Sequence, residues 1–134
     1  MRYMLDTDIC IYTINQRPSQ VLDAFLRHEA DGLGISSITA AELHFGVART
    51  GSTRNLKALH KFLAPLEIAP FDLAAAEVFG QVRAWLTAQG TPIGPYDTQI
   101  AAHAQALGVT LVTNNTREFA RVPGLQLENW ASGQ

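Results

Sequence analysis

Sulfur chemistry is nearly absent from this chain: it has one cysteine, Cys10, and two methionines. A single thiol excludes an internal disulfide and a thiolate metal cluster, and its place inside the apolar stretch "ICIYTI" reads as a buried structural thiol. No apolar run approaches the roughly 20 residues that span a bilayer. The first residues lack the basic segment, apolar core and cleavage site of a secretory signal. The expectation is a soluble, cytoplasmic protein with no membrane partner. A dominant charge is missing too, because ten Lys and Arg stand against twelve Asp and Glu, a net charge of -2. Any contact with a polyanion must therefore rest on local patches. The motifs G-x-x-x-x-G-K-[ST], G-x-G-x-x-G after the first strand, and G-x-S-x-G are all absent. P-loop hydrolysis, dinucleotide redox chemistry and α/β-hydrolase chemistry lose support accordingly.

What is present fits one compact domain, residues 1–134, since 47% hydrophobic content over 134 residues can fill a single core. "RYML" (2–5) is a short β-rich run. "ICIYTIN" and "VLDAFLRHEA" read as helical packing surface interrupted at Pro18, and "GLGISS" (32–37) as a second strand after the Asp31-Gly32 turn. From Thr39 the pattern turns helical through "TAAELHFGVAR", and "STRNLKALHKFL" resumes it after Gly51-Ser52. "LEIAPF" is a third strand. Asp72 stands at the N-cap of "LAAAEVFGQVRAWLTAQ", with Gly90 and Pro92 as stop signals. "GPYDTQIAAHAQALG" predicts a helix ending at Gly108, "VTLVT" a buried strand, and "LQLENW" a last short strand. This alternation predicts an α/β fold with a central parallel sheet of about five strands flanked by helices on both faces.

In such sheets ligands bind beyond the carboxyl ends of the strands. That rule selects Asp6 and Asp8 after the first strand, Glu42 one turn into the helix after the second, Asp97 at a later helix start, and Glu118 after "VTLVTNN". Gathered carboxylates repel one another, and a hard divalent cation relieves the repulsion. Oxygen ligands without Cys or clustered His point to magnesium or manganese, and to attack of water on a phosphate ester. Competing local roles exist for each residue. Asp6 or Asp8 suits a helix cap, Thr39-x-x-Glu42 has the spacing of a capping box, and Asp97 suits the positive end of a helix. His28, His44, His60 and His103 show no metal-ligand spacing and are read as packing or surface residues. Arg54, Lys57 and Lys61, with Arg49 nearby, make one basic helix face that suits either solvent or an RNA backbone. A rival reading takes Asp6-Thr7-Asp8 as the D-x-D of a haloacid-dehalogenase-type phosphohydrolase. Asp6 would then be the nucleophile, Asp8 the acid and Ser36 or Ser37 a phosphate ligand, but the only lysines, Lys57 and Lys61, sit in one helical run.

"MLDTDICIYTI", "ISSITAAELHFGV", "PIGPYDTQIAAHA" and "LVTNNTREFARVPGLQLENW" together resemble the ordered motifs of PIN-domain ribonucleases, specifically the VapC toxins of type II toxin-antitoxin pairs. The resemblance runs along essentially the whole chain. It implies a Mg2+-dependent endoribonuclease, with Mn2+ as a substitute ion, that cuts structured RNA. The substrate class it suggests is the tRNA anticodon stem-loop, initiator tRNA above others, with inhibition of translation as the outcome. Carried over by motif, Asp6, Glu42 and Asp97 are the catalytic acidic residues. Asp6 and Asp97 are the metal ligands, with Glu42 and Glu118 as further contacts. The chain departs from the family at two points. Many relatives carry aspartate in the segment "TNNTREF", where Asn115 and Glu118 stand here, and asparagine at the position of Asp8. Asp8 either supports the metal from the second sphere or weakens metal and phosphate binding. Arg49, Arg54, Lys57 and Lys61 are candidates for the RNA backbone. The implied partners are a VapB-type antitoxin that blocks the site, a second copy in a homodimer, and the toxin-antitoxin hetero-oligomer.

Overall fold

A computed structural model of the chain describes residues 1–132. Five short strands, β1 (Tyr3–Leu5), β2 (Leu33–Ser36), β3 (Glu67–Ala69), β4 (Thr110–Val112) and β5 (Leu127–Glu128), alternate with helices. These are α1 (Thr7–Asn15), α2 (Ser19–His28), α3 (Ser37–Thr50), α4 (Thr53–Leu63), α5 (Leu73–Ala88), α6 (Pro95–Leu107) and α7 (Thr116–Phe119). The strands form one parallel sheet in the order β3-β2-β1-β4-β5. The α/β class and the five parallel strands agree with expectation.

The two-residue period of a strand divides the core between the two faces of the sheet. Tyr3, Leu5, Leu33, Ile35 and Val112 point to one face, where they pack with Ile9, Val21, Phe25, Leu59 and Leu63 from α1, α2 and α4. Met4 and Leu111 point to the other, against Val82, Leu86, Ile100 and Ala104 from α5 and α6. The central strand β1 is buried on both faces, which is why "YML" reads as a continuous apolar run rather than an alternating one.

Local chemistry accounts for most helix ends. Asp72 accepts the Ala75 amide at 3.0 Å and caps α5. Gly108 takes the left-handed conformation that closes α6. The start of α3 differs from the sequence reading. The helix opens at Ser37, with Ser36 as its cap, accepting the Ile38 amide at 3.1 Å. The Thr39–Glu42 capping box therefore does not form, because Thr39 already lies inside the helix, buried, with its hydroxyl unpartnered among the described residues. The four-residue α7 was also not expected from the sequence, and β5 covers only two residues of "LQLENW".

Gly34 marks a tight crossing in β2. A Cβ there would stand 2.6 Å from the Glu67 carbonyl oxygen and would collide with the Met1 methyl. The Met1 side chain can move but the paired β3 backbone cannot without loss of register. Gly34→Ala is expected to destabilise the fold by about 1–3 kcal/mol, read as a lowered midpoint in thermal denaturation; an unchanged midpoint would contradict this packing.

Candidate active site

Parallel pairing aligns the carboxyl ends of β1, β2 and β4, so the segments that follow them meet at one edge of the sheet. Asp6 follows β1 directly and is 5% exposed. One carboxylate oxygen accepts the Thr7 amide at 2.8 Å and caps α1, while the other accepts the Thr113 hydroxyl at 2.7 Å. The side chain that caps α1 is thus also bound to Thr113 after β4. Burial, and next the charge of Asp8, raise its carboxyl from 3.8 to about 7. Asp8 accepts the Ile9 amide at 2.7 Å with Oδ1 and the Asn114 amide at 3.1 Å with Oδ2, tying the start of α1 to the loop after β4. Burial raises its carboxyl as well.

Glu42, half-buried on α3, accepts the Thr7 hydroxyl at 2.8 Å through Oε1. Asp97 is the third residue of α6, whose first residue is Pro95, and its carboxyl is raised to about 6 by burial and then by the charges of Glu118, Glu42 and Asp8. Glu118 lies on α7 and accepts the Asn115 side-chain amide at 2.7 Å. Asp6, Asp8, Glu42, Asp97 and Glu118 therefore share one electrostatic neighbourhood. Among the described residues the ion pairs are Met1 with Glu67 and His28 with Asp31, so no basic side chain offsets these carboxylates. No three of them already close around one point as a metal cage.

Two hydroxyl residues escaped the sequence reading. Thr7 holds Glu42, and Thr113 holds Asp6 while also accepting the Asn115 amide at 3.0 Å. The one available signal was a threonine directly following each buried strand's last apolar residue or its aspartate. The basic residues Arg49, Arg54, Lys57 and Lys61 are exposed on α3 and α4 and bond none of the site carboxylates.

The phosphohydrolase alternative finds no support in this arrangement. Ser36 is buried, bonded to His103 Nδ1 at 2.8 Å and engaged as a helix cap. Ser37 accepts the Phe71 amide at 3.0 Å, and both lysines are exposed on α4. His103 packs edge-on against Phe71, and burial lowers its pKa below the usual 6.5, so its surroundings favour the neutral ring.

The PIN domain family model matches residues 3–125. The tRNA(fMet)-specific endonuclease VapC of Shigella flexneri is 43% identical over 132 residues, covering 98% of this chain and 99% of that relative. This chain belongs to the VapC family of PIN-domain ribonucleases. Solved VapC-family structures share the fold closely. VapBC2 of Rickettsia felis bound to a promoter DNA fragment superposes with a TM-score of 0.89 at 42% identity, over 97% of this chain and 99% of that one. DNA-bound VapBC of Salmonella typhimurium gives 0.89 at 43%, over 97% and 98%.

In this VapC-family chain, Asp8→Asn tests the charge that stands beside Asp6. Burial remains the larger cause, so the substitution is expected to lower the Asp6 titration midpoint below about 7 without returning it to 3.8. Carboxyl-carbon NMR of the metal-free protein reads this directly; an unmoved Asp6 midpoint would show that Asp8 is not felt there.

Proposed function

We propose that this VapC-family chain, a single domain, is the toxin of a type II pair: a metal-dependent endoribonuclease that cuts structured RNA. The substrate proposed is the tRNA anticodon stem-loop, with initiator tRNA favoured because curated relatives are named tRNA(fMet)-specific endonucleases. The observation that carries the reading is the meeting of Asp6, Glu42, Asp97 and Glu118, drawn from four chain segments, without a basic partner among the described residues.

This donor set fits a hard cation. It is all oxygen, and no described basic side chain pairs with it; burial first, and then the neighbouring carboxylates, raise the Asp6 and Asp97 carboxyls. Asp6 and Asp97 would hold Mg2+, or Mn2+ in its place, with Glu42 and Glu118 as further contacts. When bound, such an ion polarises the scissile phosphate and stabilises the charge that develops on it.

The chain's own residues do the rest. Thr7 occupies Glu42 Oε1, which leaves Oε2 to orient the attacking water and take its proton. Thr113 and the Thr7 amide keep Asp6 in one rotamer, and Asn115 does the same for Glu118. Asp8 fixes the backbone of Asn114 beside them. Attack by water leaves 5′-phosphate and 3′-hydroxyl ends. Arg49, Arg54, Lys57 and Lys61 are the proposed contacts to the RNA backbone.

The partners are a VapB-type antitoxin, since the solved relatives are VapBC complexes, and a second copy of the chain in a homodimer. The working location is the cytoplasm, where tRNA is; no described helix is long and apolar enough to cross a membrane. An apolar groove of about 240 Å³ between α1, α3 and α4, lined by Ile11, Ile14, Leu43, Val47 and Leu59, reaches Glu42 and suits an antitoxin segment that also covers the site. Antitoxin-free protein incubated with total tRNA should produce discrete fragments with 5′-phosphate ends in magnesium and none in EDTA. Fragments that persist in EDTA would sink the metal-nuclease reading.

A further inference from the structure

Two of the most exposed aromatic side chains flank the acidic cluster. Tyr96, immediately before Asp97, is 59% exposed, and Phe45, three residues after Glu42 on α3, is 66% exposed. They line one cavity of about 370 Å³ together with Ile38, Ala41 and Glu42. Ile38, Ala41, Glu42, Phe45 and Arg49 recur at three- and four-residue steps, so one face of α3 supplies most of this wall. The Arg49 guanidinium lies 5.5 Å from the centre of the Phe45 ring and extends the same face with a positive charge.

Each feature matches one nucleotide of an RNA chain. Exposed rings offer a stacking surface to any base, a cavity of this size falls within the ~300–1,000 Å³ of small-molecule sites, and a guanidinium beyond the ring meets a phosphate. A duplex cannot use such a site, because its bases are already stacked; a loop nucleotide can be splayed into it. A second copy of the chain is a poorer occupant. It would seal Glu42 and its acidic neighbours from water, where no described basic side chain is paired with them.

We propose that Phe45 and Tyr96 hold an unpaired base next to the scissile phosphate, with Arg49 on an adjoining phosphate, so that cleavage is directed to loop nucleotides. The proposal rests on the ribonuclease reading above and adds the element that selects where the strand is cut. The α3 face and the start of α6 thus carry both parts of the site: Glu42 and Asp97 for the chemistry, Phe45 and Tyr96 for the base.

The test is steady-state cleavage of a hairpin RNA that the wild-type chain cuts, using Phe45→Leu and Tyr96→Leu, which keep apolar bulk, and Tyr96→Phe, which keeps the ring. Each Leu variant is expected to raise KM about tenfold with kcat within about threefold, while Tyr96→Phe stays near wild type. Replacing the flanking nucleotide by an abasic one should raise the wild-type KM by a similar factor and add nothing further to the Leu variants. Unchanged KM in both Leu variants, or an abasic effect that multiplies fully with theirs, overturns the proposal. So does a loss of activity that tracks a change in oligomeric state by light scattering, which would make the patch a contact between copies. A wild-type chain that cuts no RNA sinks the ribonuclease reading itself, and is told apart because no KM exists to compare.

Discussion

Asp97→Asn is expected to slow RNA cleavage by about a thousandfold, or ~4 kcal/mol in barrier height, while leaving the protein folded and no less stable. The two effects have opposite signs because the Asp97 carboxylate is held where the fold disfavours it. Burial comes first, followed by the charges of Glu118, Glu42 and Asp8, and together they raise its pKa to about 6. Asparagine has nearly the same shape and removes one of the repelling charges. The metal-free variant should therefore melt at the same temperature as wild type or slightly above it at neutral pH, the usual mark of a residue kept for function at a cost in stability. Cleavage of total tRNA, followed on gels beside thermal denaturation in EDTA, checks both halves. A variant that retains a tenth or more of wild-type cleavage would remove Asp97 from the reaction; one that melts far lower would make it structural.

The metal-free protein should lose stability as pH rises from 5 to 8, and a divalent cation should restore it. Asp6 is an acid whose folded pKa, about 7, lies above its ordinary 3.8. The native state therefore holds a proton that the unfolded state releases, and stability falls with pH between the two values until the penalty is complete above about 7. The part of that window above pH 5 is worth about 3 kcal/mol, or on the order of 10 °C in melting temperature for a chain of this size. Asp8 and Asp97 are raised as well and act in the same direction. His103 acts in the opposite one, because its lowered pKa penalises the fold below its ordinary 6.5. Millimolar Mg2+ or Mn2+ at pH 8 binds the native carboxylates and should recover most of the loss. Asp6→Asn should flatten both the pH slope and the response to metal. A melting temperature in EDTA that rises from pH 5 to 8 would mean that these carboxylates are not crowded.

The candidate acidic residues were readable because carboxylates at strand ends and helix starts in an α/β alternation form a short list. Asp6, Glu42, Asp97 and Glu118 feel one another's charge, although Asp97 opens α6 after α5 rather than following a strand. The local competitors for the same residues fared differently. At Asp6 the cap forms and leaves the second oxygen for another contact, since the two oxygens serve Thr7 and Thr113 separately. At Glu42 the capping box had the right spacing and lost. Ser36 ends β2, is anchored by His103 from 67 residues away, and so starts α3 before Thr39 can act as a cap. The helix that carries Glu118 has four residues, fewer than a helical period needs to show itself.

The amino-acid order by itself determined the types of the longer elements, the apolar faces and the acidic residues eligible for a site, because periodicity, caps and turn residues act over a few neighbours. The family resemblance was equally a property of that order. Which eligible residues touch was decided only by tertiary pairing: β1 lies between β2 and β4, and that juxtaposition brings Thr113 to Asp6 across 107 residues and Thr7 to Glu42 across 35. The raised pKa values have the same origin, since burial and mutual repulsion exist only once separate strand ends share one edge.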